Sequence, residues 1–137
     1  MPTYLADKSA LVHMKDPDVA AKLAPLIMDG AIATCGIVEL EVLYSARSER
    51  DLAATRAERA AAFPRIAMSE KDFLRAEDVI TQLARKGHHR AVSLPDLLIA
   101  AAAERSQLVV LRYDGDYDII AAVTGQRVEW VAPKGSL

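Results

Sequence analysis

The stretch that decides the fold runs from Ser93 to Asp118 and reads SLPDLLIAAAAERSQLVVLRYDGDYD. Pro95 suits the first position of a helix, where its missing N–H is not needed. The almost wholly apolar residues 97–103 predict that this helix is buried on most sides. Residues 108–111 are typical of a central strand that is buried on both faces. Ligands of open parallel sheets bind beyond the carboxyl ends of the strands. We therefore expect one edge of the sheet to carry the acids that open the helix and follow the strand: Asp96, Asp114, Asp116 and Asp118.

Strands and helices alternate along the rest of the chain, which predicts parallel strands with helices on both faces of the sheet. The predicted strands are residues 3–6, 31–35, 64–68, 108–111 and 128–131, of which 64–68 is the weakest. Besides the helix of the opening stretch, the predicted helices are residues 8–14, 17–30, 37–44, 48–62, 69–87 and 119–125. The sequence thus predicts an α/β fold that forms one domain over residues 1–137.

Composition restricts the class of protein. Over half of the residues are hydrophobic, which argues against disorder. Cys35 is the only cysteine, so we expect neither disulfides nor a cysteine-built metal site, and a reducing, cytoplasmic setting fits. No apolar run approaches the ~20 residues that span a bilayer, and the N-terminus lacks the pattern of a signal peptide, so no membrane association is expected. The net charge of −2 argues against a wholly basic surface, although arginines cluster between residues 47 and 65.

Two acids from earlier in the chain are expected at the same edge of the sheet. Asp7 ends the first predicted strand, and Glu41 lies near the start of the helix that follows the second. Glu39 is rotated by roughly 200° from Glu41 on that helix, so the two cannot serve one site. Clustered carboxylates repel one another unless some are protonated or a cation binds, and Mg²⁺ prefers such oxygen ligands. The candidate site is therefore Asp7, Glu41, Asp96, Asp114 and Asp116.

Each of these acids alone has an ordinary structural explanation. Asp7 can cap a helix, Asp96 can complement a helix dipole, and Asp-Gly at residues 114–115 is a turn signal. The combination favours a site because every member falls at the same edge. A calcium-binding loop starting at Asp114 is excluded, since Ile119 and Gly125 occupy the positions that require glycine and glutamate.

Four short motifs in the chain together resemble a known family. These are Asp7-Lys-Ser-Ala10, Glu41-Val-Leu-Tyr-Ser45, Pro95-Asp-Leu-Leu-Ile-Ala-Ala101 and Tyr113-Asp-Gly-Asp-Tyr117. In this order, and over essentially the whole chain, they resemble PIN-domain ribonucleases. More narrowly, they resemble the VapC-type toxins of bacterial type II toxin–antitoxin pairs.

The resemblance implies a three-layer α/β/α sandwich around a central parallel sheet. It also implies a metal-dependent endoribonuclease that cleaves tRNA or rRNA to inhibit translation and growth, forms a homodimer and is inhibited by a VapB-type antitoxin. The implied cofactor is Mg²⁺, with Mn²⁺ as the alternative. The catalytic set would be the five acids, with Asp7, Asp96, Asp114 and Asp116 as metal ligands and the first three as the most direct. Ser9 would support Asp7.

Two residues depart from the family pattern. Lys8 stands where the family often has a small polar residue, where it would pair with an acid or face substrate. Ser45 stands where glycine is frequent. The RNA target, the number of metal ions, the dimer surface and the antitoxin contacts are not readable from the sequence.

Two other functions remain alternatives at this point. A PIN-like module that binds RNA or protein without cutting would be expected to have lost some of the acids, and all five are present. A hydrolase of small phosphate esters would be expected to carry Asp-x-Asp directly after the first strand, where this chain has Asp7-Lys8-Ser9.

Overall fold

A four-stranded, fully parallel sheet forms the centre of the molecule. The computed structural model describes residues 1–137. The strands are β1 (Tyr4–Ala6), β2 (Ile32–Ala33), β3 (Val109–Arg112) and β4 (Val128–Trp130), and their order across the sheet is β2-β1-β3-β4. In the register of the sheet, Leu5 of β1 pairs with Ala33 on one side and with Val110 on the other. The carboxyl ends of β1 and β3 are therefore adjacent, as the alternation of elements predicts.

Seven helices surround this sheet. They are α1 (Lys8–Leu11), α2 (Pro17–Met28), α3 (Gly36–Tyr44), α4 (Glu49–Ala62), α5 (Glu70–Arg85), α6 (Leu94–Arg105) and α7 (Asp116–Thr124). Local sequence explains where several of them begin. Asp16 accepts hydrogen bonds from the N–H groups of residues 18 and 19, and Pro17 opens α2 behind this cap. Ser69 and Asp72 form a capping box at the start of α5.

Two buried clusters cover the two faces of the sheet. Leu5 and Val110 pack with residues of α3, α5, α6 and α7 on one face. Ala6 and Leu111 pack with residues of α1 and α2 on the other. Successive strand residues point to opposite faces, so β1, β2 and β3 each contribute to both clusters. The prediction of an α/β/α sandwich is confirmed.

The opening stretch forms the elements that its sequence predicts. Helix α6 runs from Leu94 to Arg105 and has seven buried residues, Asp96 among them. Strand β3 is buried along its whole length. None of the helices combines the length and the apolar character that crossing a bilayer requires.

The prediction of a strand over residues 64–68 is wrong. This segment forms a single parallel bridge, between Thr34 and Arg65. The strand beside it, β2, has only two residues, so there is no longer edge for the segment to pair with. Helix α7 also begins earlier than predicted, at Asp116 instead of residue 119.

Candidate active site

A cavity of about 260 Å³ opens at the carboxyl ends of β1 and β3. We call it the acid pocket. It is lined by all five predicted acids, together with Lys8, Ser9, Val12 and Ser93. The structure thus brings the predicted acids together: Asp7, Glu41, Asp96, Asp114 and Asp116.

Asp7 links the end of β1 to the start of α1. Its N–H donates to the carbonyl oxygen of Leu111 in β3 at 2.9 Å. Its Oδ2 accepts from the backbone N–H and the hydroxyl of Ser9, at 3.0 and 2.5 Å. The Ser9 hydroxyl oxygen in turn accepts from the N–H of Tyr113 at 2.9 Å. Asp7 is therefore a helix cap and a member of the acid pocket at once, since these bonds occupy only one of its two oxygens.

Asp96, Asp114 and Asp116 are held by the turns that connect α6, β3 and α7. Asp96 lies in the first turn of α6, and only 4% of its surface is exposed. Asp114 Oδ1 accepts from the N–H of Asp116 at 2.9 Å. Asp116 Oδ2 accepts from the N–H of Ser93 at 3.1 Å, which ties the start of α7 to the start of α6. The two turns therefore fix the three acids relative to one another.

Three of the acids are close enough to share one cation. Asp7, Asp96 and Asp114 each offer a carboxylate oxygen, and these atoms lie within 4.8 Å of one another. Oxygens at such separations suit a hard divalent ion, which is commonly held by a few carboxylates and completes its coordination with water.

The electrostatics of the acid pocket also fit a cation. Burial raises the pKa of Asp96 to about 9, helped by its hydrogen bond with Asp116 and the charges of Asp7 and Asp114. Burial and the charges of Asp7 and Asp114 likewise raise the pKa of Glu41, against the opposing charge of Lys8. The Oε1 atom of Glu41 is buried and has no hydrogen-bond partner. Without a cation this set of carboxylates is costly, so a positive ion in their midst relieves both the repulsion and the burial.

Tyr117 is a member of the site that the sequence pattern does not reveal as one. Its hydroxyl group lies 2.9 Å from Asp7 Oδ1 and 3.1 Å from Asp96 Oδ1, and the side chain is fully buried. The motif shows that an aromatic residue follows Asp116, but an aromatic residue at this point is equally expected to fill the core. In the structure the ring does pack in the core, while the hydroxyl group fixes the spacing of two acids.

Known proteins match the chain over nearly its whole length. The PIN-domain family model matches residues 4–123. Ribonuclease VapC21 of Mycobacterium tuberculosis is 41% identical over 133 residues, which are 97% of this chain and 96% of that protein. Ribonuclease VapC18 of the same species is 41% identical over 136 residues, 98% of each chain. This chain belongs to the PIN-domain family, among the VapC ribonucleases.

Solved structures agree with this family in fold. The toxin–antitoxin complex VapBC from Salmonella typhimurium, crystallised with DNA, contains a chain that superposes with a TM-score of 0.79. The match covers 96% of this chain and 100% of the Salmonella chain, at 21% identity. VapBC2 from Rickettsia felis gives a TM-score of 0.75 at the same identity, covering 93% and 98% of the two chains.

Two acids near the site of this VapC-family chain are engaged elsewhere. Glu39 points away from Glu41, as predicted, and accepts two hydrogen bonds at 2.8 Å from Arg59. Asp118 accepts from Arg112 at 2.7 Å and does not line the acid pocket. Both acids hold structural ion pairs, which separates them from the candidate catalytic set.

Proposed function

We propose that the chain is the toxin of a VapBC-type pair, an endoribonuclease that requires Mg²⁺ or Mn²⁺ and inhibits growth by cutting tRNA or rRNA. The observation that carries the proposal is the meeting of five acids in one pocket, three of them with oxygens within 4.8 Å of one another. A relative 41% identical over nearly the whole chain is named a ribonuclease, which supports the same chemistry.

The acids divide into two groups by their contacts. Asp7, Asp96 and Asp114 would hold the metal ion, because their oxygens are the three that converge. Asp116 would hold the ion through a water molecule or would bind a second ion. When bound, such an ion activates water and neutralises charge on a phosphate group. The remaining contacts of the acids, to Ser9, Ser93 and Tyr117, keep their oxygens in place before any ion binds.

Glu41 is suited to accept a proton. Its Oε1 has no partner, and its raised pKa makes it a stronger base than an ordinary carboxylate. In the proposed reaction, Glu41 orients a water molecule and takes its proton while the water oxygen attacks phosphorus. The bond from phosphorus to the 3′-oxygen breaks, and that oxygen leaves as a hydroxyl group after taking a proton from solvent. This route needs no 2′-hydroxyl and leaves a 5′-phosphate.

The partners and setting belong to the same proposal. The chain would be inhibited by a VapB-type antitoxin, form a homodimer and act in the cytoplasm as a single domain over residues 1–137. Several structural neighbours are complexes of a VapC with its VapB, which supports the antitoxin. The two clusters that cover opposite faces of one sheet support the single domain.

Removal and return of the metal tests the proposal. Protein stripped with EDTA should leave total cellular RNA intact, and Mg²⁺ or Mn²⁺ should restore cleavage to fragments that carry 5′-phosphates. The measurement is gel analysis with sequencing of the RNA ends. Cleavage in excess EDTA would contradict metal dependence. Binding of RNA without any cleavage in either metal would instead favour a non-catalytic PIN-like module.

A further inference from the structure

Lys8 is the one basic residue that lines the acid pocket. Its ammonium group donates to the hydroxyl oxygen of Ser45 at 3.1 Å. Although five acids line the same pocket, Lys8 forms no ion pair with any of them. An ammonium group beside so many carboxylates would ordinarily be drawn into an ion pair. Another contact must therefore hold the Lys8 ammonium group in its position.

Ser45 makes that contact. It lies directly after the last residue of α3, and its hydroxyl group donates to the carbonyl oxygen of Glu41 at 3.3 Å. With its single proton used in this bond, the Ser45 oxygen offers its lone pairs to Lys8. Ser45 therefore anchors the Lys8 ammonium group at the end of α3, where Lys8 forms no ion pair with a carboxylate.

Lys8 and Ser45 are 37 positions apart in the chain, and their side chains meet only through the fold.

We propose that Lys8, anchored by Ser45, binds a backbone phosphate of the RNA where the strand enters the acid pocket. The ammonium group has three donors, and Ser45 takes one of them, which leaves two for phosphate oxygens. An RNA phosphate that approaches five acids is repelled by them, and a cation at the mouth lowers this barrier. The proposal rests on the proposed function, because it assigns a contact to the substrate of that same pocket.

A purely structural role for Lys8 makes a different prediction. If Lys8 only neutralised the acids, its removal would change how tightly the pocket holds a cation and would leave RNA contacts as they are. If Lys8 binds phosphate, its removal should weaken RNA binding and lower the salt dependence of that binding. Each phosphate contact to single-stranded RNA adds about 0.7 to the slope of log affinity against log salt.

The test compares Lys8→Met with Lys71→Met, which removes the same charge from an exposed position on α5. The probe is a fluorescein-labelled 20-nucleotide RNA of mixed sequence, bound in EDTA so that no cleavage occurs, and followed by fluorescence anisotropy from 25 to 200 mM KCl. Lys8→Met should weaken binding about three- to tenfold at the lowest salt and reduce the slope by about 0.7. Lys71→Met should match the unchanged protein, and Lys8→Arg should retain the slope. Unfolding temperatures check that each variant is folded.

An unchanged salt slope in Lys8→Met would overturn the proposal. An equal loss of RNA affinity in Lys71→Met would also overturn it, because the loss would then reflect the net charge of the protein and not the position of Lys8. Cleavage of RNA by the unchanged protein in Mg²⁺ is measured alongside. If that cleavage occurs while the Lys8→Met slope is unaltered, the proposal for Lys8 fails and the nuclease function stands. If the unchanged protein cuts no RNA, the proposed function itself fails.

Discussion

At the scale of single residues, the hydroxyl group of Tyr117 is the contact that holds two of the converging acids in position. It lies within hydrogen-bond distance of both Asp7 and Asp96, and it is closed off from solvent. Groups that orient the ligands of a metal without touching the metal often change its affinity by 10- to 100-fold when they are removed. Tyr117 is therefore a positioning residue for the acid pocket.

The variant Tyr117→Phe should lower the affinity for Mn²⁺ by roughly tenfold, because the ring keeps its place in the core while the two carboxylates lose their shared partner. Calorimetric titration of the stripped protein with Mn²⁺ measures this change. Tyr113→Phe is the matched control, since that hydroxyl group contacts only the backbone N–H of Leu137. Equal affinity in the two variants would show that the hydroxyl group of Tyr117 does not position the acids.

At the scale of elements, the ion pair between Glu39 and Arg59 joins α3 to α4. Both side chains are nearly buried, with 12% and 10% exposed, and Glu39 also accepts from the Thr34 hydroxyl. Burial alone would raise the pKa of Glu39, but the hydrogen bonds from Arg59 and Thr34 outweigh it and lower that pKa. This ion pair keeps α3 from rotating about its own axis. It therefore also fixes the direction of Glu41, which lies on the opposite side of that helix.

Replacing Arg59 by methionine should reduce the free energy of unfolding by roughly 3 kcal/mol, because it leaves the Glu39 carboxylate buried without its partner. Urea denaturation followed by circular dichroism measures the loss. Arg56→Met serves as the control, since Arg56 is exposed on the same helix. A loss below about 1 kcal/mol would mean that Glu39 is satisfied by solvent instead.

The sequence predicts the order of the elements well, because hydrophobic periodicity and caps are local signals. Asp16-Pro17 and Ser69 show where α2 and α5 begin, and the apolar run before Asp114 marks β3. The early start of α7 is less readable, since it depends on the bond from the Asp116 N–H to Asp114 Oδ1. An Asp-Gly turn alone does not show whether a loop or a helix follows.

Four acids of the site can be predicted because each one follows a strand or lies near the start of a helix. The sequence predicts Glu41 near the start of its helix, but it is the sixth of the nine residues of α3 and reaches the pocket from the second half of that helix. The supporting contacts of the acids cannot be predicted, because these join residues far apart in the chain. Tyr117 meets Asp7 across 110 positions, and Lys8 meets Ser45 across 37. The buried pairing of Arg59 with Glu39 is hidden in the same way, since composition alone indicates a solvated arginine-rich helix face.

At the scale of the whole molecule, the acid pocket links stability to pH. A carboxyl group whose pKa is higher in the folded chain binds protons more tightly there. It therefore stabilises the fold below its unfolded pKa of about 3.9, and this contribution is lost as the pH rises through the folded pKa. For Asp96 that loss extends up to a pH of about 9. The stripped protein thus carries a cost at neutral and alkaline pH that a bound cation removes.

We expect the unfolding temperature of the stripped protein to fall as the pH rises from 6 to 9. Asp96 alone should lower the free energy of unfolding by no more than about 1.4 kcal/mol per pH unit. Added Mg²⁺ should flatten the fall, and Asp96→Asn should flatten it without metal. Scanning calorimetry at each pH measures the effect. If the unfolding temperature falls as steeply in Asp96→Asn as in the unchanged protein, titration of groups other than Asp96 causes the fall.

The central claim is that the converging acids hold the metal with which this molecule cuts RNA, and the cleavage rate of Asp96→Asn tests it most directly. The change keeps the size of the side chain and removes the charge that a metal ion needs. In Mg²⁺ the rate should fall at least about 100-fold, equivalent to roughly 2.7 kcal/mol of barrier. The matched change Asp78→Asn, at an exposed position on α5, should leave the rate unaltered. A rate in Asp96→Asn within twofold of the unchanged protein would contradict the account.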